Sequence, residues 1–88
     1  MEDVVKTAKE CYDNACLLYA SRKLDDAEKA LKAALKYYET ARRGREQYKK
    51  EISAILKLLG DVYHLKGEEE KSRNYYERSH KAWDWGST

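Results

Sequence analysis

The chain has 88 residues, with 18 Lys and Arg against 16 Asp and Glu, so its formal net charge is only +2. Charge this small and this interspersed argues against nucleic acid or an anionic membrane as partner, and no apolar run approaches bilayer-spanning length. With no proline, no phenylalanine and eight tyrosines, almost the whole length can be helical, punctuated only by four glycines.

The first predicted helix runs from about Glu2 to Ala20. Val4, Ala8, Cys11, Ala15 and Leu18 recur at spacings of three and four, which is one apolar helical stripe. Val5, Tyr12 and Tyr19 form a second line beside it, flanked by Cys16. Cys11 and Cys16 lie about 140° apart around a helix axis, so they are not expected to pair, and a reducing, cytoplasmic setting follows if the protein is natural. No secretory signal pattern is visible.

Ser21–Asp26 reads as a turn, with Asp25 as N-cap or first-turn acid of the second helix. That helix carries Leu24, Ala27, Leu31, Ala34, Tyr38 and Ala41 on one seam, and its alternation of small and large residues suits close packing. Arg42 and Arg43 close it, and Gly44 is placed to supply a left-handed cap. The third helix is expected as one piece from about Arg45 to Lys66, with Tyr48, Ile52, Ile55, Leu59 and Val62 as its seam. Gly60 lies in its middle, where glycine costs about 1 kcal/mol relative to alanine. The cost is explained if Gly60 lets a neighbouring helix come close. Gly67 ends this helix, and Glu68, Glu69 and Glu70 open the fourth, which turns Ser72, Tyr76, Ser79 and Trp83 inward, with Trp83 and Trp85 expected over the open end of the core. Gly86–Thr88 reads as a frayed or expression-derived tail.

The fold expected is all-α: one domain over 1–85, built of two antiparallel helical hairpins at about 2–43 and 45–84. Ala15, Leu18, Ala27, Leu31 and Ala34 align with Gly60, Tyr63, Ser72, Tyr76 and Ser79, an offset of 45 residues. In the second copy Leu56, Leu59, Gly60, Tyr63, Gly67 and Tyr76 fall in the pattern of a tetratricopeptide repeat, and over roughly residues 8–84 the chain resembles that family. The chain departs from the pattern in its longer offset, in Ser72 and Ser79 where alanines are usual, in Arg22 at the turn glycine and in Asp84 at the proline. The longer offset is expected to lengthen the second and third helices by about 8 Å each. An up-down four-helix bundle is the alternative with the same helices.

The resemblance implies a groove for a peptide or protein helix between helices one and three. Its positions fall on Lys9, Tyr12, Asp13, Cys16 and Tyr19, and on Ala54, Lys57, Leu58, Asp61, His64 and Leu65. No catalytic signature accompanies them, and no enzymatic activity is expected. Cys16 with His64 lacks an oxyanion device. Asp61-x-x-His64 and Glu77-x-x-His80, with Glu10 and Glu28, are the only residues spaced like a helical metal site, and the expected role of these is an ordinary solvated face. No metal or other cofactor is expected. Arg42, Arg43 and Arg45 with Lys49 and Lys50 form the one basic cluster, read as helix-end charge and solubility.

The lack of proline, the short turns and the regular small–large alternation also fit a designed or engineered (de novo) helical scaffold, recombinant in origin and with no native biochemical activity. That is the leading expectation for function. The alternative is a natural tetratricopeptide-type binding module using the groove, and a carboxylate–histidine metal bundle comes third. No partner is required by the sequence; a peptide, a protein or a second copy would fit.

Overall fold

The computed structural model describes residues 3–41 and 44–83. They form α1 (Asp3–Ala20), α2 (Leu24–Thr40), the single turn α3 (Gly44–Gln47), α4 (Lys49–Leu65) and α5 (Glu69–Trp83), with no strand among them. The two hairpins are α1 with α2 and α4 with α5, and α2 packs on α4 to join them. Packing therefore runs along the row α1–α2–α4–α5 without laying α5 along α1, and the Cα atoms span 34 × 30 × 15 Å. The expected roles of Arg42, Arg43, Asp84, Trp85 and the 86–88 tail lie outside the described residues, as does the Trp83 ring.

Both hairpin turns are made in the same way. At the end of α1, Arg22 takes φ +63°, its N–H bonds the Tyr19 carbonyl at 3.0 Å, and the Lys23 N–H reaches back to Leu18 at 2.9 Å. At the end of α4, Gly67 takes φ +81°, its N–H bonds the His64 carbonyl at 3.0 Å, and the Glu68 N–H reaches Tyr63 at 2.9 Å. This paired bonding around one left-handed residue satisfies carbonyls that the helix end would otherwise orphan. Every participant is offset by 45 residues from its counterpart, so the internal repeat is present in backbone geometry. Gly67 adopts the left-handed form at no steric cost, whereas Arg22 carries a Cβ into it.

Two expectations are corrected here, and a third resolves between its two alternatives. The third helix is not continuous: Tyr48, at φ −115° and ψ 30°, separates α3 from α4. The break lets the Tyr48 ring lie 5.3 Å from that of Tyr38, and part of the 45-residue offset is used in this connection. Gly44 is no left-handed cap; it begins α3 so close beneath α2 that a Cβ would fall 1.8 Å from the Tyr38 carbonyl oxygen. Asp25 is a first-turn acid, while Lys23 holds the cap position of α2 without a side-chain bond.

The core lies where α4 meets α2 and α5. Leu31, Ile52, Ile55, Leu59 and Val62 are fully buried, each worth about 1.5–3 kcal/mol relative to exposure. Small residues set the spacing within each hairpin. Ala8, Ala15, Ala27 and Ala34 are fully buried in the first, and Ser53, Gly60, Ser72 and Ser79 hold the equivalent buried positions in the second. There the Ser53 hydroxyl donates to the Ser79 carbonyl at 3.0 Å and the Ser79 hydroxyl returns the bond to Ser53 at 2.9 Å. Ser72 donates to the Gly60 carbonyl at 2.8 Å. Buried hydroxyls cost free energy unless bonded, and these are bonded.

Candidate functional site

α1 and α4 come from successive hairpins, and α2 forms the floor between them. Where they face each other, Tyr12 of α1, Tyr38 of α2 and Lys50, Glu51 and Ala54 of α4 line a hollow of about 220 Å³. Tyr12 reaches it because it sits on the flank of α1, one step around from the buried Ala8–Ala15 line. Tyr38 presents its edge at the end of the α2 seam, with only 2% of its surface exposed. Burial pushes the Tyr38 hydroxyl up to about 12, and the Glu51 carboxylate adds to the effect. Burial also raises the Tyr12 hydroxyl, helped by Cys16 and then Asp13. Both phenols therefore stay neutral hydrogen-bond donors at physiological pH. Lys50 and Glu51 give the rim one charge of each sign.

The groove positions expected from the sequence divide among three places. Tyr12 and Ala54 meet in the hollow. Cys16 is half-buried beside Tyr12, and Lys9 and Asp13 are exposed on α1. Tyr19 is half-buried with the Arg22 guanidinium 5.9 Å from its ring centre, and it is close enough to Tyr76 to help raise that hydroxyl. Leu58 is half-buried against the core, and Leu65 is exposed. Lys57, Asp61 and His64 do not join Tyr12; they run along the side of α4 that borders α5. Asp61 accepts the Tyr76 hydroxyl, and burial and this bond push Tyr76 up to about 12. His64 Nδ1 meets Glu69 at 2.8 Å, which raises the imidazole above its ordinary value.

Tyr38, Lys50 and Glu51 were missed by the sequence reading. Tyr38 belongs to the apolar seam of α2, and only its place at the end of that seam exposes an edge. A signal did exist: Tyr38 and Tyr48 flank the connection between the hairpins, where a row of helices must open.

A second cluster locks α2 to α4 at the other end of α2. Tyr63 donates to Glu28 at 2.8 Å, and Lys66 bonds the same carboxylate at 2.9 Å and Asp25 at 2.7 Å. Lys32 reaches Glu28 at 3.0 Å. Burial pushes Glu28 up, but the bonds from Lys66, Lys32 and Tyr63 outweigh it and hold it down to about 2. The Lys32, Lys66 and Lys71 ammonium groups stand 5.7, 5.8 and 5.4 Å from the Tyr63 ring centre, within cation–π range, and Tyr75 stacks on that ring at 5.3 Å. Glu28 is thus occupied within the fold. Among the described residues no three of His, Cys, Asp and Glu come together as metal ligands.

The chain matches no family model, and neither a curated protein nor a solved structure matches it. No helix among the described residues is long and apolar enough to cross a membrane.

Proposed function

We propose that the chain is a non-enzymatic interaction module of tetratricopeptide type, binding a peptide or protein segment in the groove between α1 and α4. The observation that carries this reading is the hollow shared by Tyr12, Tyr38, Lys50, Glu51 and Ala54. Tyr12 supplies half-buried apolar surface with a polar tip, the side-chain type that anchors interfaces at low entropic cost, over a floor closed by Tyr38. The rim charges would fix the register of an incoming segment more than its affinity.

The test is selection of linear peptides against the immobilised chain, followed by titration of the best binder. Tyr12→Ala is expected to weaken that binder by about tenfold, or ~1.4 kcal/mol, while leaving the melting curve in place. A selected peptide indifferent to Tyr12→Ala and Ala54→Arg would overturn the assignment of the groove.

A second reading is a folded scaffold, engineered or otherwise, with no native biochemical activity. It is favoured by the internal engagement of Asp61 with Tyr76 and of His64 with Glu69, which removes two expected groove residues from an incoming ligand. Selection that yields no binder at the α1/α4 groove supports it.

A further inference from the structure

The repeat supplies its own example of what one face of a hairpin is for. In the first hairpin, the side of α2 bearing Glu28, Leu31, Leu35 and Tyr38 packs against α4, whose Glu51 stands across the hollow from Tyr12 of α1. Leu31 is fully buried, Leu35 and Tyr38 nearly so, and Glu28 is tied to Tyr63 and Lys66 of the covering segment. An offset of 45 carries those positions onto Arg73, Tyr76, His80, Trp83 and Lys57 in the second hairpin. There, among the described residues, no further helix packs over the cleft between α4 and α5. Lys57, Tyr76, Ser79 and His80 line a hollow of about 270 Å³, and His64, Glu69, Ser72, Arg73 and Tyr76 line another of about 410 Å³ beside it.

We propose that this cleft takes an acidic amphipathic helix from a partner protein, seated on α4 and α5 as α4 is seated on α1 and α2. The same backbone turn and the same small-residue positions recur in both hairpins, so a like cleft is formed twice. Charge selects the occupant. Where the first cleft offers Tyr12 and Glu28, the second offers Lys57 and Arg73, both exposed, and among the described residues no carboxylate pairs with either. A helix in the α4 register would set its Glu51 position against Lys57 and its Tyr63 position against Arg73, so acids are favoured at both, with a short apolar stripe between them over Tyr76.

A second copy fits badly. In the same register, Val5, Lys6 and Lys9 of its α1 would stand at the positions of Lys50, Glu51 and Ala54, bringing two lysines to Lys57. Glu10 and Asn14 would replace Ile55 and Leu59 on the contact stripe. The cleft is distinct from the Tyr12 hollow, so the two assignments can fail separately.

The probe is a labelled synthetic helix with the sequence of residues 49–65, carrying Lys50→Glu and Tyr63→Glu, titrated into the full chain by fluorescence anisotropy. Saturable binding is expected, weakened by salt and reduced at least tenfold by K57E with R73E, with Tyr12→Ala having no effect. Lys57 and Arg73 are exposed, and circular dichroism checks that the variant keeps its fold. No saturable binding at millimolar chain overturns the proposal, as does binding that survives K57E with R73E. Sedimentation of the chain alone is expected to give monomer; a concentration-dependent oligomer abolished by K57E with R73E would assign the cleft to a second copy instead.

Discussion

Gly60 of α4 lies beneath the ring of Tyr76 of α5, so closely that a Cβ added to the glycine would sit 2.6 Å from two ring carbons. The equivalent pair in the first hairpin is Ala15 with Leu31, both fully buried. Volume is exchanged across the seam between the two hairpins, alanine with leucine in one and glycine with tyrosine in the other. Gly60→Ala should therefore destabilise the chain although it improves helix propensity by about 1 kcal/mol. Tyr76 is held through its hydroxyl to Asp61, and overpacking of this kind costs about 1–3 kcal/mol. The urea midpoint is expected to fall; a rise would mean that Tyr76 swings aside freely.

Ser53 and Ser79 exchange reciprocal hydroxyl-to-carbonyl bonds where the first hairpin has Ala8 and Ala34. Ser53→Ala or Ser79→Ala alone should cost about 1 kcal/mol, since one bond of the pair is lost. The double replacement recreates the alanine pair and should cost less than the two losses added together. Equilibrium unfolding of the four proteins measures the difference, and strict additivity would count against the repeat relationship.

The Glu28 cluster makes stability depend on pH in a defined direction. The folded-state carboxyl is held down to about 2 against an ordinary value of 4.5, so its contribution is complete above 4.5 and is lost as pH falls towards 2. Thermal melts between pH 5 and pH 2 should show a falling Tm, and Glu28→Gln should flatten that fall while lowering the Tm at neutral pH. A Glu28→Gln curve parallel to the parent would remove this cluster from the account.

His64 is exposed beside Glu69, and the hydrogen bond raises its pKa. Its charged form is favoured in the folded state, so any stability it adds is present below 6.5 and lost as pH rises through the raised value. NMR titration of the imidazole should give a midpoint above 6.5 that Glu69→Gln brings back down. A midpoint unmoved by Glu69→Gln would show that the pair does not persist in solution.

The helices were legible because their apolar spacing has a 3.6-residue character and because Gly67 marks a turn. The first turn was harder, since Arg22 carries no glycine signal; its left-handed backbone follows only from the alignment with Gly67. The break at Tyr48 left no local trace. Arg45–Lys50 contains no breaker, and the interruption is set by packing of Tyr48 on Tyr38. Of the groove positions that the tetratricopeptide resemblance implied, Tyr12 and Ala54 meet in the hollow, whereas Lys57, Asp61 and His64 share a helix with Ala54 but turn towards α5. A few tens of degrees around α4 decide which neighbour a side chain meets, and that rotation is fixed by the fit of α4 between α2 and α5.

One hairpin pattern is used twice, the second adapted around Tyr76. The most direct measurement is a double-mutant cycle of Gly60→Ala and Tyr76→Leu, read by urea unfolding. Converting the glycine–tyrosine pair to the alanine–leucine pair of the first hairpin should recover at least about 1 kcal/mol of the loss caused by Gly60→Ala, a favourable coupling between the sites. Independent, additive losses at the two positions would contradict it.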